Sequence, residues 1–146
     1  MYEQPKTAPG TRRHPPARAH NSSLHDRLPD GPGAAAGSQL TGHLAALHAA
    51  TAAVRRRTAD PARRAELDAA LEQIAARISA LSPTAAVLRS EADRDSGRSP
   101  AELHDHAHAL AGRLLVVAAA RQDTATAMLA CRRMDAHAAA LSLLGS

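Results

Sequence analysis

The chain of 146 residues contains no phenylalanine, no tryptophan and only one tyrosine, Tyr2. Strands depend on aromatic and β-branched side chains, and valine, isoleucine and threonine are also scarce here, whereas alanine, leucine and arginine are abundant. This composition argues against a β-sheet core and predicts an all-α protein. Because each buried alanine contributes little transfer energy, we expect the core to depend on leucine, isoleucine, valine and methionine.

Three pairs of a capping residue and a proline mark helix starts: Asp60-Pro61, Ser82-Pro83 and Ser99-Pro100. A capping side chain accepts a hydrogen bond from a free amide of the first turn, and proline suits the first helical position. Glu102 completes a capping box with Ser99, and Asp123 is expected to cap the last helix. The predicted helices cover residues 38–58, 61–81, 83–93, 100–121 and 124–144.

Four of these helices carry apolar side chains at alternating steps of three and four residues, the spacing of a helix that packs along one face. The expected core positions are Leu40, Leu44, Leu47, Thr51 and Val54; Leu67, Leu71, Ile74, Ile78 and Leu81; Leu103, Ala107, Leu110, Leu114 and Val117; and Ala127, Ala130, Met134, His137, Leu141 and Leu144. The first two stripes suggest one-faced helices, whereas residues 114–120 and 136–144 are apolar on several sides. Cys131 is also expected to be buried.

Short connections favour antiparallel neighbours, so we predict an antiparallel four-helix bundle made of two helical hairpins, with 83–93 as a short bridging helix. In the simplest topology, the turns 58–60 and 121–123 lie at the same end of the bundle. Residues 1–37 contain most of the prolines and show no apolar periodicity. We expect them to form a disordered tail ahead of a bundle domain at residues 38–146.

Arginine supplies nearly all of the positive charge, and the assumed topology would gather six arginines at the turn end. The candidate residues are Arg55, Arg56, Arg57, Arg63, Arg64 and Arg121. Cations beside a helix N-terminus strengthen an anion site, so one hypothesis is that this end binds a phosphate-bearing or acidic partner. The charge is not concentrated, since the tail and the remaining chain each carry +2. Binding to nucleic acid is therefore not expected.

Six of the nine histidines lie in predicted helices, and the same topology would place them in the half of the bundle opposite the arginines. Imidazole is a common ligand of Zn²⁺ and Ni²⁺. The candidate ligands are His43, His48, His104, His108 and His137. Two alternatives are histidines that lie partly exposed on a helix shoulder, with His137 hydrogen-bonded in the core, and a histidine cluster that gains charge near pH 6.

The sequence contains no glycine-rich phosphate loop, no CxxC pair and no HExxH motif, and no catalytic residues are expected. We therefore predict a non-catalytic interaction or regulatory protein without a resident cofactor, and a homodimer formed through its apolar helices. The single cysteine favours a cytoplasmic location, and the longest apolar run, residues 114–120, is too short to span a membrane. The alternative is a metal-binding or metal-responsive bundle that uses the histidines.

Overall fold

The computed structural model describes residues 32–83 and 97–146, and these ranges contain four helices and no strand. They are α1 (Pro32–Arg57), α2 (Pro61–Leu81), α3 (Pro100–Ala120) and α4 (Thr124–Leu144). The predicted all-α helical bundle is thereby confirmed. Residues 1–31 of the predicted tail, and the predicted bridging helix apart from Pro83, lie outside the described residues.

Three of the four predicted caps form, and the helix that Ser82 was expected to cap lies outside the described residues. The amide of Ala62 donates to Asp60 Oδ1 at 3.1 Å. Ser99 and Glu102 make the reciprocal bonds of a capping box, at 3.2 and 2.7 Å. Asp123 accepts a bond from the amide of Thr126 at 3.0 Å. These side chains satisfy amides of the first helical turn, and α2, α3 and α4 therefore begin where the sequence predicts.

The helix α1 begins at Pro32, six residues before the predicted start at Ser38. Three consecutive alanines, residues 34–36, favour helix, and a proline at the first position does not interrupt it. Leu40 is the first buried side chain described in this helix. The added residues therefore extend α1, and none of their described side chains is buried.

Removal of residues 1–37 is expected to leave the melting temperature almost unchanged, because the deletion stops before Leu40. Thermal unfolding followed by circular dichroism would compare the full chain with residues 38–146. A drop larger than about 8 °C, equivalent to more than about 1 kcal/mol, would contradict this expectation. Deletion of residues 1–44 is the control, since it also removes the buried Leu40 and Leu44 and should lower the melting temperature strongly.

The helices pack in the order α2, α1, α3, α4, and α2 and α4 make the least contact of the packed pairs. Both α1 and α3 therefore have two close neighbours. Ala50 and Ala53 of α1 and Ala111 of α3 are buried beside the larger core residues. The expectation that α1 buries only one face is thus wrong, because its alanines allow the second neighbour to approach.

Contacts between the helices establish their directions. Arg57, the last residue of α1, donates from Nη2 to the carbonyl oxygen of Arg98 just ahead of α3, at 3.5 Å. His104, early in α3, lies against His137, late in α4. The C-termini of α1 and α4 therefore share one end of the bundle with the N-termini of α2 and α3. We call this the α1–α2 end and the opposite one the α3–α4 end, after the turns they contain.

The prediction that the α1–α2 turn and the α3–α4 turn lie at the same end of the bundle is wrong. Arg77, in the last part of α2, forms an ion pair with Asp123 in the α3–α4 turn at 2.7 Å, so α2 ends where α4 begins. At 1.5 Å per residue, α2 is roughly 31 Å long. The link formed by residues 82–99 has enough residues to span that length. The prediction treated this link as a short connection, which would have started α3 beside the end of α2.

The buried stripe agrees with the prediction at all five positions of α1 and at four of five in α3, where Val117 is half-buried. In α2, Leu71 and Leu81 are also only half-buried. The prediction for α4 is wrong at several positions. Its buried residues are Thr126, Leu129, Ala130, His137 and Ala140. Leu144 is 49% exposed, because α4 packs mainly on α3 and its last turn has little to cover it.

Candidate functional site

Five of the six candidate arginines lie at the α1–α2 end, and four of them contact other groups of the chain. Arg63 forms an ion pair with Asp60, with 3.8 Å between Nε and Oδ2. Arg55 forms a two-point ion pair with Asp68 of α2, with 3.0 Å between Nη2 and Oδ2, and this hydrogen bond lowers the pKa of the Asp68 carboxyl. Arg64 donates from Nε to the carbonyl oxygen of Thr58 at 2.7 Å. Arg57 donates to the backbone ahead of α3. These contacts join three chain segments, which accounts for much of the arginine content of this end.

Arg121 lies at the opposite end of the bundle, where it follows α3, and it cannot join the other five. Its Nη1 is buried, and no described group lies within hydrogen-bonding distance. The directions of the helices explain why Arg121 is separated from the other candidate arginines. Since α1 and α3 run antiparallel, their C-termini lie at different ends.

The five candidate metal ligands are not brought together either. His43 lies fourteen residues before the end of α1, roughly 21 Å from the α1–α2 end. His104 lies in the second turn of α3 at that same end. His104, His108 and His137 lie near one another, since the charges of His104 and His108 lower the pKa of His137. Within residues 32–83 and 97–146, no three or more histidine, cysteine, aspartate or glutamate side chains are grouped so as to hold a metal ion. Binding of Zn²⁺ or Ni²⁺ stays a prediction.

The α1–α2 end contains a cleft of about 200 Å³ between α2, α3 and the C-terminal half of α4. One water needs only about 10–15 Å³ of such space, so the cleft can admit a small molecule. Its polar lining residues are Thr58, Arg63, Glu66, His104, Arg133 and His137. Leucine and alanine side chains form the remaining wall, including Leu67, Ala140 and Leu143. Two arginines and two histidines thus line one partly apolar cleft.

The two histidines of the cleft bond to each other. His104 Nδ1 and His137 Nδ1 are 3.0 Å apart, so one of these atoms donates to the other. His137 is only 1% exposed, which confirms the prediction that it is buried. Its second ring nitrogen, Nε2, is buried and has no hydrogen-bond partner among the described residues. An unpaired polar atom in such surroundings is costly, and this one belongs to a residue that lines the cleft.

Both histidines favour the neutral form. Burial, and then the charges of His104, Arg133 and His108, lower the pKa of His137 to about 3. Burial and the charge of Arg63 lower the pKa of His104. The interpretation of the histidines as a cluster that gains charge near pH 6 is therefore wrong for His137. Around neutral pH this residue acts as a hydrogen-bonding group without charge.

Arg133 is half-buried in the same cleft. Burial lowers the pKa of Arg133, while the charge of Glu66 partly offsets this and that of Arg132 adds to it. No carboxylate of the described residues lies within 4 Å of its guanidinium group. Arginine keeps its charge in proteins, so a cation lies in a partly desolvated position without a direct partner.

Two residues of this cleft, Arg133 and Glu66, were not predicted as site residues from the sequence. Arg133 lies between Ala130 and His137 on the buried side of α4. The predicted core of this helix included Met134 at this level and not Arg133. The sequence does contain a pattern that indicates this buried side, because residues at alternating steps of four and three share one helix face. They are Thr126, Ala130, Arg133, His137 and Ala140. Glu66 gave no signal, because its position beside Arg133 depends on how α2 and α4 meet.

The α3–α4 end contains a second polar group of residues, which ties α2 to the start of α4. Arg77 donates from Nη2 to both carboxylate oxygens of Asp123, at 2.8 and 2.7 Å, and from Nε to Thr126 Oγ1 at 2.7 Å. The Thr126 hydroxyl in turn donates to Asp123 Oδ2 at 2.7 Å. Because α2 and α4 otherwise make little contact, this network is their main polar connection.

Comparisons of the chain with protein-family models, with curated protein sequences and with solved structures found no match. The class is therefore defined by the fold and the cleft alone, as an all-α four-helix bundle with a polar cleft at one end. Among the helices described, none has both the length and the apolar character needed to cross a membrane.

Proposed function

We propose that the protein is a non-catalytic interaction protein that self-associates as a homodimer through the outer face of the α3–α4 hairpin. The observation that supports this is the exposure of two large apolar side chains, Val116 at 68% and Met128 at 57%. Each lies about one helical turn from the α3–α4 turn, on neighbouring antiparallel helices. Exposed apolar side chains that form one contiguous patch are typical of a protein–protein interface, and the proposal takes these two side chains to form such a patch.

A second copy of the chain is the partner that suits this face best. Arg132 and Asp135 are both exposed on α4, close in sequence to Met128. In a two-fold interface the same patch meets itself, so Arg132 of one copy could pair with Asp135 of the other. A face with charges of both signs favours such pairing over a strongly basic or strongly acidic partner.

The proposal includes a cytoplasmic location. Cys131 is exposed on α4, contrary to the prediction that it is buried. An exposed thiol stays reduced in the cytosol, where disulfides are rare. In this proposal Cys131 lies at the edge of the dimer face, one helical turn after Met128.

The combined substitution of Val116→Asp and Met128→Asp is expected to weaken self-association by about tenfold or more, because it places four carboxylates in the two-fold interface. Multi-angle light scattering over a range of concentrations would give the dimer dissociation constant. Both side chains face solvent in the monomer, so the substitutions should leave its helical circular dichroism spectrum unchanged.

Leu144→Asp is the matched control, since Leu144 is an exposed apolar side chain away from this face. It should leave the dissociation constant unchanged. A wild-type chain that remains monomeric at every concentration, or a double variant that associates as well as wild type, would contradict the proposal.

A further inference from the structure

The C-terminal half of α4, residues 131–144, has few buried side chains that hold it to the bundle. After Ala130, the buried residues of this helix are His137 and Ala140. Nδ1 of His137 lies 3.0 Å from Nδ1 of His104 on α3. Within residues 32–83 and 97–146, no other side-chain hydrogen bond joins this half of α4 to another helix. The histidine pair is therefore its main polar connection to the rest of the bundle.

Burial determines which of the two histidines donates this hydrogen bond. A neutral imidazole carries one proton, on either Nδ1 or Nε2. Nε2 of His137 is buried and has no hydrogen-bond partner among the described residues, and a buried N–H group without an acceptor is rare in native proteins. The proton of His137 therefore lies on Nδ1, which donates to Nδ1 of His104.

This arrangement is incompatible with protonation of His104. A proton on Nδ1 of His104 removes the acceptor, so two N–H groups would face each other across the 3.0 Å contact. The bond could form in the opposite direction only if the proton of His137 moved to Nε2, where a buried donor would lack an acceptor. From this geometry we propose that His104 and His137 form an acid-sensitive contact, which holds residues 131–144 on α3 while both rings are neutral and releases them when the pair binds a proton.

The groups around the pair oppose its protonation while the contact is closed. Groups that carry or can gain positive charge come from all four helices, namely Arg57, Arg63, His108 and Arg133. Of the carboxylates nearby, Glu66 lines the cleft and Asp60 pairs with Arg63. No carboxylate of the described residues lies within 4 Å of either imidazole. Burial, and then positive charge, lower the pKa of both rings, that of His137 to about 3.

Release of this segment would expose the rings to water, where the ordinary pKa of histidine is about 6.5. Because the pKa of each ring is lower in the closed state, the contact contributes its full stability above about pH 6.5 and loses it as pH falls below that value. His137 stays neutral in the closed state and gains a proton only on release. Between pH 7.5 and 5.5, its protonation alone should raise the equilibrium constant for opening about tenfold.

Hydrogen exchange of the amides of residues 137–141, corrected for the intrinsic effect of pH, would measure this opening. In the wild-type chain the opening constant is expected to rise about tenfold or more between pH 7.5 and 5.5. The double variant His104→Asn/His137→Asn removes both titrating rings, so its rise should be below about twofold. If its segment is open at both pH values, His104→Asn replaces it. Asparagine keeps an acceptor oxygen near the position of Nδ1 but binds no proton, so this variant should stay closed at pH 7.5 and show a smaller rise than wild type.

His106→Asn is the matched control, because it removes a histidine of α3 that lies outside the pair, and it should give the wild-type rise. Imidazole ¹⁵N resonances at pH 7.5 would identify the tautomers directly, with the proton expected on Nδ1 of His137 and on Nε2 of His104. The proposal is overturned by a proton on Nε2 of His137, by a wild-type opening constant that is equal at the two pH values, by a full wild-type rise in the asparagine variant of the pair, or by loss of the rise in His106→Asn.

Discussion

Replacing Leu114 by alanine is expected to lower the free energy of unfolding by about 2–5 kcal/mol. Leu114 is fully buried in α3, the helix that packs against both α1 and α4. The chain has no phenylalanine or tryptophan that could shift into the space left behind, so most of the cavity should persist. Urea unfolding followed by circular dichroism would measure the change. A domain of this size is typically stable by only about 5–15 kcal/mol, so the loss is a large fraction of the total.

Leu71→Ala is the matched control, because it removes the same atoms from a half-buried position on α2. This substitution is expected to lower the free energy of unfolding by about 1 kcal/mol, since Leu71 buries less apolar surface in the folded state than Leu114 does. The apolar spacing of α2 alone would predict equal losses for the two leucines. Equal measured losses would contradict the difference in burial, and a loss at Leu114 below about 1 kcal/mol would contradict its central position.

The local features of the fold could be predicted from the sequence, because they depend on residues close together in the chain. The caps at Asp60, Ser99 and Asp123 each need only two or three neighbouring residues to form. The buried stripe of α1 follows from helical spacing alone. The relative placement of the two hairpins depends on the link at 82–99, whose path no local pattern specifies. Because the path of this link was predicted wrongly, Arg121 and His43 lie away from the residues that they were expected to join.

The candidate site could be predicted only in part, for the same reason. His104, His137 and Arg63 were each recognised, but as members of two separate groups at opposite ends. The antiparallel arrangement of α1 and α3 brings them into one cleft, where Arg63 lowers the pKa of His104. Their proximity is a property of packing between helices that are distant in sequence. Spacing within a single helix cannot reveal it.

Removing the carboxylate of Asp123 by substitution with alanine is expected to lower the free energy of unfolding by about 2–4 kcal/mol at pH 7. The change removes the cap of α4 and leaves Arg77 without its ion pair. The side chains of the pair are only 27% and 14% exposed, so solvent compensates little. Partial burial raises the pKa of Asp123, but hydrogen bonds from Arg77 and Thr126 outweigh it and hold the pKa below its ordinary value.

That lowered pKa determines how the effect of Asp123→Ala varies with acidity. A carboxyl whose pKa is lower in the folded state stabilises the protein above its unfolded pKa, near pH 4, and this contribution disappears as pH falls through the folded value. The difference between wild type and variant should therefore be largest at neutral pH and shrink in acid, as urea unfolding across that range would show. Asp68→Ala is the control, since the Arg55–Asp68 pair is nearly half exposed and its loss should be much smaller. Equal losses for the two aspartates, or a loss at Asp123 that does not change with pH, would mean that the Arg77 network does not hold α2 to α4.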